Sequence, residues 1–382
     1  MNAKSGGRCG GGCAPLPTSA TQRPRLSLLD TVPVGPSVGL ADALNSSLSL
    51  AHLAAGLGFH RIWIAEHHAN DESGCGTPAV LISRLASVVG GIRVGAGGVM
   101  LPNRSPLLVA EEFRMLEALF PNRIDLGIGR AKAIDDDFLP ALRRADARDP
   151  AFMSQIGELH GFLRGRFSSS HQFGALRMPS VRSLPTVFLL GSGEASAIVA
   201  GSLGLPFAFA HFQNPTGAAN AVSVYHSSFV ESETLPAPYV IATVRIVGRE
   251  SADQAAASAL AATAVRLRKQ AAARADIMID DSIIQNVTLS ASEIEIATSH
   301  LSQSSVFVGD PQRLRENLSP LVDDWRVDEL MVLPVEFDTK GRMESIRAIA
   351  ASWDSTNLAT TNTSAGDVVC VQDPGKVTDE RR

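Results

Sequence analysis

Glu66, His67 and His68 close a short β-rich run at 62–65. Residues of these types can bind a metal, pass a proton, or hold a structural hydrogen bond. Successive side chains of an extended strand point to opposite faces, so His67 and His68 cannot both reach one ion without a bend. Alternate ligand positions are lacking, and the expected metal set is none. Two readings stay open. One imidazole faces a pocket and moves or shares a proton near neutral pH, or it is a hydrogen-bonded structural histidine.

Gly191-Ser192-Gly193 separates an apolar run at 187–190 from a helical stretch at 194–203. Free N–H groups at a helix N-terminus favour an anion, and small residues let it come close. Arg130, just past a strand-like run at 124–128, can add a charged fork. The set reads as a phosphate site or as an ordinary turn beside a surface arginine, and spacing leaves both open. Glu194 suits the helix dipole but would repel a phosphate if it turned inward. Gly97-Gly98 follows a run at 92–96. Paired glycines there permit unusual backbone or the close approach of a flat ligand, or they mark a bend. His211 follows a run at 207–210. The other histidines show no partner pattern and read as surface or satisfied core groups.

These residues share one placement. Strand-like runs fall at 26–29, 62–65, 92–96, 124–128, 187–190, 207–210, 239–247 and 329–333. Helical patterns lie between them, including 106–119, with Leu108, Phe113 and Leu116 expected inward. Eight strand–helix alternations argue for parallel pairing with crossover helices. Eight suit a closed (β/α)8 TIM barrel, with chemistry at the C-terminal ends of the strands. His67, Gly97-Gly98, Arg130, Gly191-Ser192-Gly193, His211 and Glu336 all fall at such ends. Two stretches exceed the simple count: 132–184, with a helix expected at 152–163, and 271–305, low in pattern and expected as a lid. Both are expected as insertions at the C-terminal face. The barrel is expected over 25–356, between disordered polar tails at 1–24 and 357–382.

Composition limits the alternatives. The 382 residues are 45% hydrophobic and 19% charged, enough for a large core. A net charge of −5 and 5% aromatics argue against nucleic acid and anionic membranes as partners. No apolar run of membrane-spanning length occurs. Cys9, Cys13, Cys75 and Cys370 cannot staple a fold of this size. The N-terminus lacks a secretory apolar stretch, and a cytoplasmic location is expected.

Four segments in register resemble the bacterial luciferase-like flavin monooxygenases. They are Ile62-Trp63-Ile64-Ala65-Glu66-His67-His68, the run from Ile92 to Pro102, the run from Asn122 to Arg130, and Leu190-Gly191-Ser192-Gly193. The strand that starts at Asp328-Glu329 matches as well. The resemblance spans about residues 26 to 353. It implies a barrel that binds reduced FMN at its mouth, with FMN supplied by a separate flavin reductase. It further implies insertion of one oxygen atom from O2 into a small organic substrate through a C4a-(hydro)peroxyflavin. His67 matches the family's catalytic histidine. Gly97-Gly98 matches a non-proline cis peptide beneath the flavin ring. Arg130 and Gly191-Ser192-Gly193 match the phosphate-binding elements.

Two departures stand out. Gly193 replaces a frequent second serine, and Gly129 stands where bacterial luciferase carries a reactive cysteine, so light emission is not implied. The resemblance admits a homodimer. A deazaflavin-dependent hydride-transfer enzyme and a catalytically silent flavin-binding barrel remain as alternatives.

Overall fold

The computed structural model describes residues 23–34, 38–69, 72–130, 141–142, 149–274 and 289–353. Its strands are β1 (Arg25–Asp30), β2 (Arg61–Ile64), β3 (Arg93–Met100), β4 (Ile124–Gly129), β5 (Thr186–Gly191), β6 (Phe207–Ala210), β7 (Val240–Gly248), β8 (Val306–Gly309) and β9 (Glu329–Pro334). Strands β1 to β7 pair in parallel, each with the next, and β9 pairs with both β7 and β1. Eight strands therefore close into the expected (β/α)8 barrel. The ninth, β8, lies outside that ring. It pairs with Arg245–Gly248 of β7, continuing the edge that β6 occupies at Val240–Thr243.

The helices are α1 (Leu40–Gly56), α2 (Pro78–Val88), α3 (Pro106–Leu119), α4 (Asp149–Arg164), α5 (Glu194–Ser202), α6 (Ala218–Ser228), α7 (Ala252–Arg274), α8 (Ala291–Gln303), α9 (Pro311–Asp324) and α10 (Thr339–Ser352). Proline opens α2, α3 and α9, where its missing N–H costs nothing. Strand alternation divides the core in two. Outward residues such as Leu28, Ile62, Val94, Leu126 and Val332 pack on the helices. Inward residues Leu29, Trp63, Phe188, Ala208, Ile241 and Met331 fill the barrel.

The floor of the barrel is charged. Arg61, fully buried at the start of β2, meets Asp125 of β4 at 2.7 Å and Glu329 of β9 at 2.7 Å. Arg93 also reaches Asp125 at 2.6 Å, and the Trp63 indole N–H donates to it at 3.1 Å. Tyr239 donates to Glu329 at 2.7 Å, and the Ser27 hydroxyl does so too. The cations hold both carboxyls below the usual range although burial opposes this. With its polar groups so paired, a charged plug is tolerated where an unpaired ion would not be.

Some expectations are corrected. Leu108 is 56% exposed, whereas Phe113 and Leu116 are buried as expected, together with Val109 and Ala110. The stretch 271–305 is not pattern-free. It holds α8, opened by a capping box in which Ser290 and Glu293 exchange hydrogen bonds. The helix expected at 152–163 is α4. Apart from Arg23 and Pro24, the tails at 1–24 and 357–382 lie outside the described residues. Among the described residues, no helix is long and apolar enough to cross a membrane.

Candidate active site

The C-terminal mouth has a bare floor on one side. Gly95 and Gly97 of β3 and Gly127 and Gly129 of β4 occupy inward positions, so two adjacent strands present backbone there. Close approach explains them. A Cβ on Gly97 would sit 2.8 Å from the Trp63 ring and 3.0 Å from Leu29, and one on Gly98 would sit 2.8 Å from the Gly127 carbonyl. One on Gly127 would press into the Ala96 carbonyl. The Gly97–Gly98 peptide bond is cis, and the β3–β4 register slips beside it. Trp63, Leu29 and Leu190 take the space that side chains at 97, 98 and 127 would need, and of these glycines Gly97 alone is part-exposed.

Gly191-Ser192-Gly193 follows β5 and opens α5. Only glycine fits at 191, because Ser196 packs where a Cβ would project. At 193 nothing lies within 4 Å of that position. Gly193 is extended, and no side chain caps the helix, so its first-turn N–H groups stay available. Asn214 donates to the Ser192 carbonyl at 2.7 Å and fixes the turn. Glu194 accepts from Asn220 of α6, which holds its carboxylate on the α6 side. Arg130 is exposed, one residue past β4. Continuing the β4–β5 register brings Arg130 level with Gly191.

His67 lies in the loop after β2, not in the strand. Its N–H donates to the Cys75 carbonyl at 3.0 Å. Its Nδ1 is 3.3 Å from the Ser73 hydroxyl, which donates to the Thr31 carbonyl at 2.7 Å. Burial lowers the pKa of His67, and the charge on His68 adds to this against the opposing pull of Glu66. The imidazole is therefore neutral at pH 7.

His68 turns elsewhere, in the same loop. Its Nε2 lies 2.9 Å from the fully buried Glu66 carboxylate, whose other oxygen is 3.5 Å from Arg104. Glu66 and His68 thus belong to an ion cluster that continues to Glu112 at 2.5 Å. Among the described residues, no group of three His, Cys, Asp or Glu could hold a metal. A cleft of about 540 Å³ borders His67, His68, Ser73 and Leu40, and another of about 530 Å³ borders His68, Thr77 and Arg104. Neither is lined by Gly97-Gly98 or the Gly191 turn.

Two other rim residues serve the scaffold. Glu336 is buried and accepts from Arg249 at 2.7 Å and Ser345 at 2.5 Å. His211 is buried between the rings of Phe307 and Trp325. Sequence reasoning missed Ser73 and Thr31, since their link to His67 crosses two loops and leaves no spacing signal. It also missed the plug, although Arg61, Asp125 and Glu329 stand out as charges at the starts of apolar strands.

Comparison with known proteins agrees with this architecture. The luciferase-like monooxygenase family pattern matches residues 25–328. An Escherichia coli protein named luciferase-like monooxygenase is 35% identical over 322 residues, covering 84% of this chain and 94% of that protein. The N-acetyl-S-alkylcysteine monooxygenase of Bacillus subtilis is 43% identical over 194 residues, 50% of this chain and 58% of its own. The crystal structure of apo-MsnO8 superposes with a TM-score of 0.73 at 32% identity, covering 86% of this chain and 98% of that one. Two barrels share the fold alone. One is a Pseudomonas putida diketocamphane monooxygenase component in complex with FMN (14% identity, TM-score 0.65, covering 86% and 96%). The other is an F420-dependent secondary alcohol dehydrogenase (13% identity, TM-score 0.59, covering 87% and 100%). With a closed barrel, a glycine floor at its mouth and a match over most of its length, the chain belongs to the luciferase-like monooxygenase family of oxidoreductases.

Proposed function

We propose that this protein is an FMN-dependent monooxygenase that transfers one oxygen atom from O2 to a small organic substrate. One observation carries the reading. The Gly97-Gly98 backbone, part-exposed at Gly97, and the uncapped α5 N-terminus lie on one barrel rim with His67, whose pKa is lowered. That set fits a flat ring joined to a phosphate. The ring would rest on Gly97-Gly98, and the phosphate would meet the Gly191-Ser192-Gly193 amides and Arg130. Reduced FMN would supply the oxygen-activating chemistry at its C4a carbon. His67 would hold or accept a proton at the reacting oxygen. A separate reductase would deliver the reduced cofactor, and a homodimer and a cytoplasmic location fit the same reading.

The test is titration of the full chain with FMN, riboflavin and a deazaflavin, followed by oxygen uptake with chemically reduced FMN. The reading expects FMN to bind at least tenfold more tightly than riboflavin, and oxygen to be consumed. Preference for the deazaflavin without oxygen uptake would replace it with hydride transfer. Binding without either activity would leave a silent flavin barrel.

A further inference from the structure

Two arginines stand at the mouth on the side away from the glycine floor. On β7, Tyr239 and Ile241 face into the barrel, and two-residue alternation puts Thr243 and Arg245 on the same face. Arg245 pairs in register with Leu333, a member of the inner core near the end of β9. Its guanidinium carbon lies 4.7 Å from the centre of the Phe212 ring, which itself packs on the inner core. The charge thus sits in the top layer of the barrel interior.

Arg266 lies on α7, one turn before Lys269. Its positive charge is felt at Arg245, and both guanidiniums are held below their usual pKa mainly by burial. Arg266 also feels Glu72, the neighbour of Ser73 in the loop that holds His67. Nearby, Lys269 of α7 donates to the Val34 carbonyl at 3.4 Å and so ties α7 to the β1 side of the mouth. The second half of α7 therefore reaches the loop after β1.

Among the described residues, neither Arg245 nor Arg266 has a hydrogen-bonded or ion-paired carboxylate. Phe212 covers one face of the Arg245 fork and leaves its N–H edge uncovered by that ring. Partly burying two like charges is unfavourable unless an anion completes the set. The charged plug shows the contrast, since Arg61 there is matched by two carboxylates. A planar guanidinium pair also fits a carboxylate better than a single ammonium would.

We propose that Arg245 and Arg266 form the recognition site for the anionic head of the substrate, and that this substrate is a small organic carboxylic acid. The proposal rests on the monooxygenase reading, because it places that head at the same mouth as the flavin. An acid held there would keep its apolar remainder over the glycine floor, toward His67. Binding of the acid needs no turnover, so the proposal can be tested apart from that reading.

The experiment is calorimetry on the full chain with hexanoate, benzoate and N-acetylmethionine, each set against its primary amide. The same titrations are run on Arg245→Gln and Arg266→Gln, with FMN and riboflavin as separate arms. The expected result is that at least one acid binds tenfold or more tightly than its amide. Each substitution then weakens that acid tenfold or more and changes FMN affinity less than twofold. Equal binding of acids and amides, or of none, would overturn the proposal. So would a loss of FMN but not riboflavin affinity in Arg245→Gln, which would give the pair to the cofactor phosphate. Failure to bind any flavin while acid binding persists would remove the monooxygenase reading alone.

Discussion

The Ser73 hydroxyl gives its one proton to the Thr31 carbonyl and offers only lone pairs to the Nδ1 of His67, 3.3 Å away. Nδ1 must then be the donor, which fixes the neutral tautomer with its free lone pair on Nε2. A loop contact thereby presents His67 as a proton acceptor.

Replacement of His67 should separate chemistry from binding. In His67→Ala, turnover is expected to fall about 10²–10⁴-fold, the range for a positioned acid–base group. The dissociation constant for oxidised FMN should move less than about threefold. In Ser73→Ala the tautomer is no longer enforced, and a loss of about tenfold is expected, one hydrogen bond's worth. The pH profile distinguishes the two. Because the His67 pKa is lowered, activity should hold down through the ordinary histidine range and fall only as stronger acid protonates Nε2. That acid limb should persist in Ser73→Ala and vanish in His67→Ala. An unchanged limb in His67→Ala would remove the residue from the chemistry.

The glycines make opposite predictions at two places. Gly193 is extended and faces open space, so Gly193→Ser should fold normally and add a hydroxyl donor to the turn. FMN should bind more tightly, by about tenfold or more, and riboflavin as before, since a hydrogen bond to a charged group contributes about 1.5–3 kcal/mol. Gly97→Ala places a methyl 2.8 Å from Trp63. Overpacking there should cost about 1–3 kcal/mol and weaken FMN and riboflavin together. Paired titrations of both variants check this, and equal gains for FMN and riboflavin in Gly193→Ser would argue against a phosphate at the turn.

The site was legible in the sequence where chemistry coincides with chain order. The eight barrel strands follow from alternation of apolar runs, and the glycine turns follow from their places between strand and helix. Leu108 was misplaced because apolar spacing alone cannot say which of two neighbouring stripes faces the sheet; Val109 and Phe113 do so. Strand β8 escaped because three half-buried residues and a buried Gly309, after a weakly patterned helix, carry little periodicity. The Ser290–Glu293 capping box opens α8 within a stretch expected to be low in pattern. What spacing could not supply are contacts between distant loops and strands, such as Ser73 with Thr31 or Arg61 with Glu329, 268 positions apart.

The charged plug predicts a large and one-sided stability effect. Asp125→Asn leaves Arg61 and Arg93 short of a carboxylate inside the barrel. Removal of one partner of a buried ion pair typically costs about 3–5 kcal/mol. Urea unfolding should show that loss with an unchanged slope. The native pKa of Asp125 is depressed, so its contribution is present above the unfolded value and is lost as pH falls through the folded one. The gap between wild type and variant should therefore narrow in acid. A loss below about 1 kcal/mol would mean that water or a neighbour replaces the carboxylate.

His160 gives the pH dependence its clearest single source. Burial, with the Arg164 charge one turn on, lowers its pKa to about 4 in the folded chain. The unfolded histidine titrates near 6.5, so between these values the unfolded state holds the extra proton. Stability from this site is complete above pH 6.5 and falls by about 1.4 kcal/mol per pH unit as the solution is acidified toward pH 4. His60, also near 4, acts in the same direction. Asp328 opposes them, since its pKa is raised to about 6 and the native state keeps its proton where the unfolded state does not. The wild-type slope is thus a difference, and His160→Gln isolates one part of it. Between pH 7 and 4.5 the variant should lose about 2 kcal/mol less stability than the wild type. Denaturant midpoints at the two pH values measure this directly, and parallel pH curves for the two proteins would show that His160 titrates alike in the folded and unfolded states.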